Sequence, residues 1–182
     1  PTIEAIKSSA TFAAALQTGI YLDNAGLVLL HPFLPQLFEA LHVSDGNRIL
    51  QPERGLQLLH FLCTGQTIAP EYDLPLAKVL LNLPLQQPVA TLKPLNETDQ
   101  SECTALLTAV IRHWQALGDT SPDALRGTFL LRSGKLSQRD HDEWQLQVEP
   151  QGFDILLDQL PWSIGMIKCP WMPKLMWVDW RY

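Results

Sequence analysis

The chain has 182 residues, 46% of them hydrophobic and 18% charged, which supplies one sizeable core and argues against disorder. Lys and Arg total 13 against 19 Asp and Glu, a net charge of −6, so neither nucleic acid nor an anionic membrane surface suits it as a partner. No apolar run approaches the ~20 residues that span a bilayer, and three scattered cysteines, Cys63, Cys103 and Cys169, make no disulfide framework.

In chain order, residues 1–20 read as an Ala-rich helix capped by Thr2 and followed by Gly19, a lead-in from an upstream region. Pro1 in place of methionine reads as a fragment or processed product. Residues 21–182 read as one domain. From Asn24, the residues Leu27, Leu30, Leu34, Leu37, Phe38 and Leu41 keep a 3.6-residue period. Pro32 and Pro35 interrupt it, so a short helix, a kink near His31 and a second helix to His42 are predicted. A helix from Pro52 to Gly65 follows, and another after Asp73 that Pro84 stops. The segment 84–96 is a connector, because Pro84, Pro88 and Pro94 recur too closely for a helix.

The clearest helix starts at Asn96 and ends before Gly118, with Cys103, Leu106, Leu107, Val110 and Trp114 on one face. Thr120-Ser121-Pro122-Asp123 is a second capped start, with Leu125 and Phe129 inward. The period then becomes two: Trp144, Leu146 and Val148 alternate with polar residues and predict a strand, pairing near Leu136 across a polar turn. Phe153, Leu156, Leu157 and Leu160 return to helical spacing, and the tail is extended with a strand over Leu175–Trp180. The fold class predicted is mainly α: a compact bundle of short, Pro-interrupted helices with a small β element and a Trp-rich extended tail near the C-terminus.

Side chains with metal or catalytic potential are few. His60 and Cys63 lie one helical turn apart, but His31 and His113 stand at unrelated distances and no second pair has ligand spacing. Glu71 with Asp73, and Asp140, Asp142 and Glu143, are the carboxylate pairs a hydrolase would need. Both sets also suit a helix start or a solvated turn, and no nucleophile motif accompanies them. Five of the six Trp fall between Trp144 and Trp180. That distribution fits core packing of an irregular tail, a protein interface, or stacking on sugars.

Four blocks occur in order: NAGLVLLHPFLPQLFEAL (Asn24–Leu41), GLQLLHFLCTG with PEYDLPLAKVLLNLP (Gly55–Pro84), AVIRHWQALGDTSPDALRGTFLLRSGKL (Ala109–Leu136) and FDILLDQLPWSIGMIKCPWM (Phe153–Met172). Together, from about Tyr21 to the end, they resemble the C-terminal conserved region of the contractile injection system tape measure proteins, components of phage-tail-like particles. The resemblance implies a non-catalytic assembly protein without cofactor or metal, made in the cytoplasm and carried into a particle that is released. It implies an anchoring part of the tape measure that helps set tube and sheath length. The partners it implies are the baseplate hub or spike and the inner tube, together with self-association as a homo-oligomer, a trimer if it follows a threefold spike. Candidate interface residues are Val28, Leu29 and Phe33 on the kinked segment and Trp162, Trp171, Trp177 and Trp180 in the tail. The rival readings are a baseplate or cap adaptor and a Trp-rich cell-wall-binding module.

Overall fold

The structure is a computed structural model, and it describes residues 12–89 and 92–181. The expected cap at Thr2 lies outside the described residues. Two layers make up the fold, helices on one side and a five-stranded sheet on the other. The strands are β1 (Ile20–Leu22), β2 (Gly134–Gln138), β3 (Trp144–Val148), β4 (Met166–Ile167) and β5 (Met176–Asp179), in the spatial order β1-β2-β3-β5-β4. All neighbours are antiparallel except β3 and β5, which run parallel.

The register sorts the side chains onto two faces. Ile20, Leu136, Leu146 and Val178 stand in one row that faces the helices. The next row, Tyr21, Lys135, Gln147 and Asp179, points the other way, as strand alternation requires. The molecule is therefore mixed α/β, which corrects the mainly α expectation. The hairpin β2–β3 and the strand β5 lie where alternation placed them. The remaining strands, β1 and β4, have three and two residues, too few for a period-two pattern to show. They become strands because the hairpin and β5 offer them edges to pair with.

The helical layer contains α1 (described over 12–18), α2 (Leu34–Ala40), α3 (Pro52–Thr64), α4 (Pro75–Leu80), α5 (Glu97–His113) and α6 (Pro122–Leu125). At the centre lies α3: every residue from Gly55 to Cys63 is buried. Pro52 occupies its first turn, and Gly65 ends it in the left-handed conformation at φ 74°. The last carbonyls of α3 are covered from outside. Arg126 donates from Nε to the Leu62 carbonyl and from Nη2 to that of Phe61, both at 3.1 Å. A cation at a helix C-terminus is favoured by the dipole as well as by the hydrogen bonds.

The segment before α2 is not an α-helix. Ala25–Phe33 forms nine residues of 3-10 helix, and Ala25 to Leu30 are all buried. Runs longer than three or four residues are uncommon in this geometry, and here outside contacts support it. In a 3-10 helix the residue 32 amide would bond the Leu29 carbonyl, but Pro32 has no N–H. The Trp162 indole supplies the missing donor at 2.9 Å. A second indole caps α4: the helix ends at Leu80, Asn82 turns left-handed at φ 57°, and the Trp171 indole donates to the free Leu80 carbonyl at 2.7 Å. Gly26 lets the 3-10 helix lie directly on another backbone: a Cβ there would stand 1.7 Å from the Phe129 carbonyl oxygen. Phe129 belongs to the wide π-type turn Arg126–Leu130 that continues α6.

Candidate functional site

The structure separates the predicted interface residues into three groups. Val28, Leu29, Trp171 and Trp180 are buried in the chain's own core. Trp171 stacks on Phe38, with ring centroids 5.3 Å apart. Phe33 and Trp162 come together edge to face at 5.1 Å and are half-buried at the surface. Trp177 stands apart on the outer sheet face, its ring under the Arg139 guanidinium at 5.0 Å and its indole donating to Glu143 at 2.6 Å.

A 3-10 helix over Gly152–Gln159 departs from the α-helical spacing read in the sequence. With three residues per turn, Asp154, Leu157 and Leu160 share the inner row, and Gly152, Ile155 and Asp158 the outer one. Asp154 is fully buried, while Phe153 is 42% and Ile155 58% exposed. The inversion is set by charge pairing. Both Asp154 carboxylate oxygens accept from Arg132, each at 2.7 Å. One of them also accepts from the Gln151 amide and the Trp180 indole, each at 2.9 Å. Burial pushes the Asp154 pKa up, but these donors outweigh it and hold the carboxyl below its ordinary range. Arg132 further donates to the Glu149 carbonyl and lies beneath the Phe153 and Trp180 rings. A charge pair inside has turned apolar side chains outside.

From Phe153 the chain continues as a surface strip to Ile164, fastened from below at several points. Trp114 donates to the Leu156 carbonyl at 3.1 Å, Trp162 reaches Leu29, and His31 Nε2 donates to the Ser163 carbonyl at 2.7 Å. Burial lowers the His31 pKa, partly offset by that carbonyl. Leu156, Leu157, Leu160, Trp162 and Ile164 are each half-buried along this strip.

A second surface is the outer face of the sheet. Its rows are Tyr21, Lys135, Gln147 and Asp179, then Ser137, Gln145, Trp177 and Met166. Tyr21 and Met166 are 84% and 53% exposed on it, while Lys135, Ser137, Gln145, Trp177 and Asp179 are half-buried. Sequence reasoning missed Tyr21, Phe153 and Ile155.

The side chains with metal or catalytic potential do not converge. His60 is 4% exposed on α3 and its Nδ1 has no hydrogen-bond partner among the described residues. Burial lowers its pKa and the charge of Asp73 raises it in part. Cys63 is buried on the same helix, and its thiol pKa is driven far up by desolvation. His31 serves Ser163, and His113 bonds the Ala109 carbonyl one turn back on α5. Among the described residues, no three His, Cys, Asp or Glu stand close enough to hold a metal ion. Glu71 is paired with the buried Lys78, and Asp140, Asp142 and Glu143 occupy the β2–β3 turn.

With the geometry in hand, the comparison with known families is decisive. A model of the family described as contractile injection system tape measure protein matches residues 1–180. The chain belongs to that family. No curated protein and no solved structure matches it. As a tape measure family member the chain is a component of a contractile injection apparatus, and no helix of its described residues is long and apolar enough to cross a membrane.

Proposed function

We propose that this domain is the anchoring part of the tape measure, a non-catalytic assembly element that fixes one end of the length-setting chain to the particle. A folded unit of this size has a radius of gyration of about 16 Å, so it holds an end in place and does not itself span a tube. The observation that supports the reading is the outer sheet face, where Tyr21 and Met166 are 84% and 53% exposed and Trp177 stands half-buried in the row of Met166. Exposed aromatic and methionine side chains are enriched at protein interfaces. The docking partners on this reading are the baseplate hub or spike and the inner tube. Synthesis is cytoplasmic, and the assembled particle carries the protein out.

The test is particle assembly with the complete tape measure protein carrying Tyr21→Asp and Met166→Asp together. Both side chains are exposed, so the far-UV spectrum should be unchanged. Electron microscopy should then show few particles or a broad spread of tube lengths. Normal yield and normal length with the folded double variant would refute the anchoring role of this face.

A further inference from the structure

Residues 84–89 follow α4 and cross to the first turn of α3. Among the described residues, every hydrogen bond that ties this segment to the rest of the molecule ends on Lys78 or Glu71. Lys78 Nζ donates to the Gln87 carbonyl at 3.0 Å and to that of Leu85 at 3.5 Å, and it pairs with the Glu71 carboxylate. The other Glu71 oxygen accepts from the Val89 amide at 3.4 Å. A further bond, from the Gln87 amide to the Pro84 carbonyl at 3.3 Å, stays inside the segment. Pro84 and Pro88 have no amide hydrogen to offer.

We propose that residues 84–89 form a strap with a single clasp, the Lys78–Glu71 pair, and that the strap opens as a unit while the rest of the domain stays folded. Packing beneath it is incomplete. A cavity of about 190 Å³ is lined by Pro84, Gln87, Pro88 and Val89 of the strap together with Pro52 and Leu56 of α3. Leu85 and Val89 are half-buried, and the other four strap residues are exposed. Segments with few buried contacts open at a lower free energy than the whole domain. The clasp is also unequal: Lys78 is 3% exposed, whereas the Glu71 side chain is 52% exposed. Water can take over the Glu71 carboxylate, so Glu71 is the half that lets go. Opening brings the buried Leu56 to solvent, which makes the strap a cover over an apolar cleft between α3 and α4.

Chymotrypsin digestion of the folded 182-residue chain, read by mass for the fragments 1–85 and 86–182, tests this. Cleavage after Leu85 tracks the population of the open strap. Its rate should change little at low urea, because so short a segment exposes little new surface on opening. Lys78→Met should raise the rate about tenfold, the worth of one hydrogen bond to a charged group. The melting temperature should stay close to that of the parent, because methionine fills the buried site without a charge. Glu71→Gln should also raise the rate, since a neutral amide is a weaker partner for Lys78. No cleavage after Leu85 in any variant, a rate that climbs with urea as steeply as global unfolding, or a rate that Lys78→Met leaves unchanged would overturn the proposal. So would a rise in cleavage matched by an equal loss of global stability. Should Lys78→Met not fold, the urea dependence of the parent and of Glu71→Gln decides.

Discussion

Helix α5 and the 3-10 helix Ala25–Phe33 lie in the same core yet are held by different means. The first satisfies itself. Asn96 caps it by accepting from the Asp99 amide at 2.8 Å, Glu97 and Asp99 stand in its first turn, and Arg112 and His113 in its last. The second lacks a side-chain cap, carries Pro32 inside, and depends on Trp162 for a donor that arrives from 133 residues away in sequence. Local rules build α5; tertiary contacts build Ala25–Phe33. Variants that attack the borrowed contacts should therefore cost more than variants that attack the local ones.

The largest effect is expected from Gly26→Ala. A Cβ 1.7 Å from the Phe129 carbonyl oxygen forces two backbones apart. The cost should exceed the ~1–3 kcal/mol typical of overpacking, and the readout is loss of soluble, cooperatively unfolding protein. Asp154→Asn follows, because it leaves the Arg132 guanidinium buried beside a neutral partner. Removing one member of a buried pair costs about 3–5 kcal/mol, measurable by urea denaturation.

The same pair sets a pH dependence. Asp154 has a depressed pKa in the folded state, so the unfolded chain takes up its proton first as pH falls. Its stabilising contribution is full above the ordinary carboxylate pKa of ~4 and is lost as pH drops below that towards the folded value. Parent protein should lose more stability than the Asp154→Asn variant between pH 6 and pH 3 in thermal melts.

Trp162→Phe keeps most of the apolar area and removes only the indole donor to Leu29. An unsatisfied carbonyl costs ~1–3 kcal/mol when buried, and this site is half-buried, so about 1 kcal/mol is expected. Asn96→Ala should cost at most a similar ~1 kcal/mol, the usual worth of an N-cap. Should Asn96→Ala prove costlier than Gly26→Ala and Asp154→Asn, the contrast between the two helices would fail.

What was legible in the sequence follows the same division. The cap and period of α5, the Pro start and Gly end of α3, and the alternation of Trp144, Leu146 and Val148 are local signals, and each element starts where they placed it, although α5 stops at His113 and a 3-10 turn over Gln115–Leu117 fills the space before Gly118. The 3-10 geometry of Ala25–Phe33 and of Gly152–Gln159 was not legible. Leu and Ile spacing reads alike at 3.0 and 3.6 residues per turn over two turns, and the deciding contacts come from Arg132, Trp162 and Trp180, far along the chain. The candidate surfaces suffered the same way. Val28 and Leu29 are apolar because they are core, whereas Ile155 is exposed because its neighbour Asp154 claims the interior. The Trp-rich tail likewise makes sense only with partners visible: two of its indoles satisfy backbone carbonyls, that of Leu29 left open by Pro32 and that of Leu80 at the end of α4.

The position of β5 has a consequence for the order of synthesis. The most C-terminal strand of this sheet is not at an edge; it lies between β3 and β4 and pairs with both. Until Met176–Asp179 has left the ribosome, β3 and β4 each keep an open flank, and the Asp154 carboxylate waits for the Trp180 indole. Chains grow at roughly 5–20 residues per second and ordinarily fold from the N-terminal side. Here the sheet closes only when Met176–Asp179 arrives, so a chain truncated before residue 176 exposes two sticky strand edges and cannot complete this domain.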